Sequence, residues 1–307
     1  MSYLPITGTF LDEVTHDIPS QNWGPAEWAR EFDTFVQTGI DTVIIIRSGY
    51  GEKLSAPSKA ISSRRPTLPV YIDLVRLFLD LAAERGIKLF FGLYDSGYHW
   101  YRNDWTVEVD INKAYLHEMF ENYGDSPAFQ GWYLPHETSD SGLRIIDINT
   151  ALAKEIKSIS DLPILASPYF HARADYAVDT RTVPRTPEEH ARAWSEIFER
   201  YAGLVDYCAF QDGTADLLAL EDITAATAQE ARNHGIRLWS NLETFDRDMP
   251  IKFPPTDWRK LAHKLDVVQP YVDKVITFEF SHFMSPNSMW EPARNLYRRY
   301  REFLETK

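Results

Sequence analysis

Two glutamates stand at the ends of short strand-like runs: Glu137 closes Gly131-Trp132-Tyr133-Leu134-Pro135-His136, and Glu243 closes Leu238-Trp239-Ser240-Asn241-Leu242. A pair of carboxyls can cleave an acetal. One stays protonated and donates to the leaving oxygen, while the other stays ionised and attacks the anomeric carbon or activates water. Retention of configuration needs the carboxyls ~5–5.5 Å apart, and inversion ~6.5–9.5 Å. The expectation is Glu137 as general acid/base and Glu243 as nucleophile in a retaining centre; the alternatives are a barrel that binds saccharide without cleaving it, or an inverting or metal-dependent hydrolase using another carboxylate pair.

The ends of the remaining runs carry Asp12, Arg47, Asp95, His136, Tyr169, Gln211, Asp212, Asn241, Glu279 and His282. Of these, Asp12, Arg47, His136, Tyr169, Gln211, Asp212, Asn241 and Glu279 are expected to line a substrate subsite. Glu279, Asp212 and Asp12 also compete for either catalytic role. Trp100, Trp132 and Trp239 are candidate platforms for a sugar face, with core filling an equal alternative for the last two. The first run has no His-x-His, and His136 and His282 read as hydrogen-bond partners of nearby acids, so neither a metal nor a cofactor is expected. Lys88 and Lys274 sit near run starts, which disfavours Schiff-base chemistry. Glu243-Thr244-Phe245 and Ser281-His282-Phe283 lack the small glycine-rich turns of a phosphate site.

Positioning these residues requires eight alternations of strand and helix, which predict a single (β/α)8 barrel over residues 1–307 with its site at the carboxyl ends of the strands. The predicted strands are Pro5–Asp12, Asp41–Arg47, Ile87–Tyr94, Phe129–Glu137, Leu162–Pro168, Tyr207–Asp212, Ile236–Glu243 and Lys274–Phe280. Predicted helices run from Gly24 to Gly39, Leu68 to Arg85, Ile111 to Tyr123 and Leu143 to Ser158. Four more start at Thr186 and span Ile223 to Asn233, Asp257 to Tyr271 and Met289 to Leu304. Asp41-Thr42-Val43-Ile44-Ile45-Ile46 has the continuous apolar character of a strand covered on both faces. Thr186-Pro187-Glu188-Glu189 reads as an N-cap, a first-turn proline and an acidic first turn. Residues 48–67 form a long lid-like loop, with no hairpin signal anywhere. An open doubly wound sheet would also alternate, but Thr9-Phe10-Leu11-Asp12 has no glycine-rich phosphate turn.

The bulk properties agree. At 307 residues and 44% hydrophobic, the chain can bury one large core. Its net charge of −13 repels phosphate backbones and anionic lipid, so neither nucleic acid nor membrane is an expected partner. A carbohydrate substrate is, and self-association into a homo-oligomer stays open. Cys208, the one cysteine, lies in an apolar run and reads as a buried hydrophobe. Without a visible signal peptide or membrane span, the chain is expected to be soluble and cytoplasmic, although removal of an export signal would leave the same appearance.

A strand-four acid facing a strand-seven nucleophile is similar to the large clan of retaining glycoside hydrolases on (β/α)8 barrels. In that clan an Asn commonly precedes the acid/base; here His136 holds the place. The chain more closely resembles a domain-of-unknown-function family of the glycosidase barrel superfamily. The segments that carry this are Ile6-Thr7-Gly8-Thr9-Phe10, Asp41 to Tyr50, Gly131 to Glu137, Phe210-Gln211-Asp212-Gly213, Trp239 to Phe245, and Phe278-Glu279-Phe280 with Ser285-Pro286-Asn287. The resemblance spans essentially the whole chain. It implies a barrel and a glycosidase without fixing the sugar.

Overall fold

The computed structural model describes residues 3–16, 18–102, 104–139, 144–171, 185–247 and 252–307. Most of the His- and Arg-bearing loop expected after Tyr169, residues 172–184, lies outside them, as does Leu143, where helix four was expected to start.

Parallel strands β1 (Ile6–Leu11), β2 (Thr42–Ile45), β3 (Lys88–Gly92), β4 (Phe129–Leu134), β5 (Ile164–Ala166), β6 (Tyr207–Gln211), β7 (Arg237–Glu243) and β8 (Lys274–Phe278) lie side by side in sequence order. Strand β8 pairs back onto β1 and closes the barrel. The helices that alternate with them are α1 (Pro25–Thr38), α2 (Leu74–Arg85), α3 (Trp105–Tyr123), α4 (Ile145–Ile159), α5 (Pro187–Tyr201), α6 (Leu220–Asn233), α7 (Trp258–Val268) and α8 (Glu291–Leu304). This is an α/β TIM barrel. No helix among the described residues is long and apolar enough to cross a membrane.

The contacts group the chain into two compact units, one of Met1–Thr9, Glu137–Ser141 and Ser167–Lys307, the other of Phe10–His136 and Gly142–Ala166. In the first, β6, β7 and β8 run in register, with Asn241 beside Gln211 and Glu243 beside Phe278. Trp194 of α5 meets Phe210 of β6 edge-on at 4.7 Å. Cys208 is fully buried, and burial pushes its thiol far above the usual range. The expected cap on α5 forms: Thr186 Oγ1 accepts from Glu189 N at 3.2 Å, and Glu189 Oε2 accepts from Thr186 N at 2.9 Å.

In the second unit every residue of β2 is buried, which explains its unbroken apolar run. Gly92 must be glycine, because a Cβ there would lie 1.9 Å from the Ile45 carbonyl oxygen. Phe129 and Trp132 pack against both Phe91 of β3 and Phe120 of α3.

Three expectations need correction here. Helix α2 starts at Leu74, six residues late, because Asp73 caps it by accepting from Arg76 N at 2.9 Å and Pro69 biases its predecessor away from helix. Helix α3 starts earlier, at Trp105, which brings Glu108 into its first turn. The segment after β2 is not a bare loop. Gly49–Tyr50 forms a small hairpin with Lys53–Leu54 and a parallel pairing with Tyr94–Asp95. The short helix Lys59–Ser62 follows, its start held by Glu118 of α3, which accepts from Lys59 N at 2.7 Å and Ala60 N at 3.0 Å.

Candidate active site

Glu243 is the last residue of β7 and is almost wholly buried. Its main chain is fixed by a charge clamp. Asp212, just past β6, accepts from Glu243 N at 2.9 Å, and Lys264 of α7 donates to both Asp212 Oδ1 and the Glu243 carbonyl oxygen at 3.1 Å. Its carboxylate meets Arg247 in a two-pronged pair, Nη2 to Oε1 at 2.8 Å and Nε to Oε2 at 3.1 Å. Gly213 lies directly beneath, since a Cβ there would fall 1.8 Å from Glu243 Oε2. Burial pushes the Glu243 carboxyl above the usual carboxylate range; Arg247 and Lys264 pull against that shift, and Asp212 adds to it.

Glu137 follows β4 by three residues, is half-buried, and belongs to the same compact unit as Glu243. In the same unit, Gln211 donates from Nε2 to the Ser167 carbonyl at 2.8 Å, and Asn241 donates from Nδ2 to Ser167 Oγ at 3.1 Å. Asn241 Oδ1 and Asp212 Oδ2 are buried with no hydrogen-bond partner among the described residues. Half-buried Tyr169 bridges to Gln211 through the main chain.

Two expected site residues of this unit have other work. Glu279 is fully buried as the N-cap of the short helix Phe280–Phe283, accepting from Ser281 N at 2.9 Å and from His282 N and Nδ1 at 2.5 Å. Both its oxygens are engaged in shaping this turn. Trp239 lies near the amino end of β7, stacked on Tyr207 at 4.5 Å. Glu243 is four residues further along the strand, roughly 13 Å away. It packs the far end of the strand and is no platform beside the glutamate.

The remaining expected residues fall in the second unit. Arg47 donates from Nε to Asp95 Oδ2 at 3.1 Å, and its Nη1 and Nη2 reach Thr15 Oγ1 and the Pro135 carbonyl at 3.4 Å. Asp95 also accepts from Trp100 Nε1 at 2.8 Å and Gly97 N at 2.7 Å. Burial opposes its ionisation, yet Arg47, His136 and these donors together hold its carboxyl below the usual range. His136 Nε2 meets Glu108 Oε1 at 3.0 Å, both side chains being fully buried. Asp12 accepts from Val14 N and Thr15 N, which shapes the turn after β1. Trp132 is fully buried, its ring set among Phe91, Phe120 and Phe129, so of its two readings core filling holds.

Asp95, Glu108 and His136 each offer an atom within 4.8 Å of the others, a spacing that could hold a cation. Their atoms are already engaged: Ser96 N donates to Glu108 Oε1 at 3.0 Å, the Ser96 hydroxyl donates to Oε2, and the Arg47 guanidinium lies against Asp95. This donor set fits a structural ion network better than a metal.

Glu108, Arg247, Lys264 and Gly213 were not expected from the sequence, because none ends a strand. One signal was available. Leu261, Lys264, Leu265 and Val268 form the buried stripe of α7, and a lysine in an apolar stripe points to a buried counter-charge.

A closed parallel barrel with acids at the carboxyl ends of its strands defines a TIM barrel. The chain belongs to the family described as a domain of unknown function, DUF4434, which matches residues 6–290. It is similar to a crystal structure from Bacteroides thetaiotaomicron of a "putative alpha-L-fucosidase", with 42% identity over 99% of this chain and 94% of that one, at a TM-score of 0.93. Two more distant structures share the fold: a GH2 beta-galacturonidase from Eisenbergiella tayi (13% identity, TM-score 0.60, 97% of this chain and 51% of that) and a GH18 chitinase from Pseudoalteromonas aurantia (10%, 0.55, 96% and 99%). No curated protein matches the chain.

Proposed function

We propose that this protein is a retaining glycoside hydrolase with Glu137 as general acid/base and Glu243 as nucleophile. The observation that carries the reading is the position of Glu243, a buried carboxylate at the end of β7 with a charge clamp on its main chain, in one compact unit with the glutamate that follows β4. A Glu243 oxygen bonds to the anomeric carbon as the bond to the leaving oxygen breaks, and that oxygen takes the Glu137 proton. Water then gives a proton to Glu137 and displaces Glu243 from the sugar. Arg247, about one-quarter exposed on the loop after β7, releases one prong before the attack. Asn241, Gln211, Tyr169 and Asp212 line the sugar subsite, and no cofactor takes part.

The test is turnover of a panel of chromogenic glycosides, including the α-L-fucoside suggested by the 42%-identical relative, with the product anomer followed by NMR. Retained product, with Glu137→Gln slower by about two to four orders of magnitude, is the expected outcome. Near-normal turnover by Glu137→Gln excludes the assignment. One observation favours a second reading, a barrel that binds saccharide without cleaving it: both Glu243 oxygens are held by Arg247. Saccharide binding with no turnover across the panel would establish that reading instead.

A further inference from the structure

The unit of Phe10–His136 and Gly142–Ala166 contains a cavity of about 510 Å³, within the roughly 300–1,000 Å³ range of small-molecule sites. Ile61, Pro66 and Ile111 give it apolar walls, and Arg64, Arg65 and His99 give it cationic and polar edges. Two guanidiniums on one cavity stand out in a chain of net charge −13. Arg65 is pre-set, since its Nη1 donates to Tyr94 Oη and the Ser96 carbonyl at 3.3 Å. Its nearest acid, Glu52, is 3.8 Å away and more than half exposed, so it neutralises little. Arg64 is exposed and makes no ion pair among the described residues. His99 Nδ1 is buried without a hydrogen-bond partner among the described residues, 3.9 Å from the Asp104 carboxylate.

The loop beside the cavity bears on what kind of anion fits. Ser96 N donates to Glu108, Gly97 N to Asp95, and Tyr98 N and His99 N to Ser96 Oγ. No amide of this turn is left for the third oxygen of a phosphate. The charged donors that remain are planar guanidinium forks, which match the two oxygens of a carboxylate. We propose that this cavity binds a sugar acid, with its carboxylate between Arg64 and Arg65, its ring against Ile61, Pro66 and Ile111, and a hydroxyl at His99. Neither Glu137 nor Glu243 is among the described residues that line it.

Calorimetric titration of the full chain with D-glucuronate, D-glucose, acetate and inorganic phosphate tests this. Glucuronate is expected to bind saturably, with the other three at least about tenfold weaker. Arg64→Ala should weaken glucuronate about tenfold with an unchanged melting temperature, and Arg65→Lys, which keeps the charge but loses the fork, should also weaken it. Glu137→Gln should bind glucuronate like the wild type, whatever becomes of turnover. Equal affinity for glucose, tighter phosphate, an Arg64→Ala variant that binds normally, or loss of binding in Glu137→Gln each overturns the proposal.

Discussion

At the scale of single residues, the surroundings of Glu243 leave little freedom. Placing alanine at Gly213 puts a methyl 1.8 Å from the present position of Oε2, so the carboxylate must shift away from its pairing with Arg247. Gly213→Ala is therefore expected to reduce turnover by at least about a hundredfold while the barrel stays folded, with its far-UV dichroism unchanged. Lys264 gives a different result. Lys264→Met leaves Asp212 buried without its ammonium and should cost about 3–5 kcal/mol of unfolding free energy, part of which Asp212→Asn in the same chain restores. Chemical denaturation of the single and double variants measures both. Glu243 itself has a carboxyl raised from 4.5, so its charge opposes folding once the pH exceeds the unfolded value. Glu243→Gln should thus be inactive yet at least as stable as wild type at pH ~7, the difference closing below pH ~4.5 where both forms are neutral. A variant clearly less stable at neutral pH would contradict that sign.

At the scale of elements, the barrel was readable and its attachments were not. Thr42-Val43-Ile44-Ile45 and Lys274-Val275-Ile276-Thr277 announce strands because both faces of a barrel strand are covered, and the polar residue after each run marks its end. The same rule identified Asp12, Arg47, Asp212 and Glu243 as strand-end residues. It could not separate Trp132 and Trp239 from mouth residues, because a tryptophan on a strand looks alike at either end and on either face. The hairpin at 49–54 escaped notice because its two-residue strands are too short to show a period. Its support is also non-local. Glu118, on α3, receives the main-chain N–H groups of Lys59 and Ala60 and the Ser58 hydroxyl. Glu118→Ala should destabilise that helical turn by about 1 kcal/mol, read as faster amide hydrogen exchange confined to residues 58–62. Unchanged exchange there would show that the carboxylate is incidental.

For the molecule as a whole, acid is the expected weakness. His190 of α5 is packed against Phe170 and Phe210 with His171 N donating to its Nδ1, and burial, helped by Arg185 and His171, lowers its pKa from 6.5 to about 3. A base whose folded pKa is depressed is neutral in the native state and protonated in the unfolded one. Stability should then fall by about 1.4 kcal/mol per pH unit as the pH drops from 6.5 towards about 3, from this group alone. His190→Phe should remove that one-proton slope in melts recorded across this window, and an unaltered slope would assign the acid sensitivity elsewhere. The lone thiol offers a way to observe such losses. Because Cys208 is sealed within β6, an alkylating reagent can reach it only when that strand comes away, so the labelling rate is a clock for opening events too rare for optical signals to register.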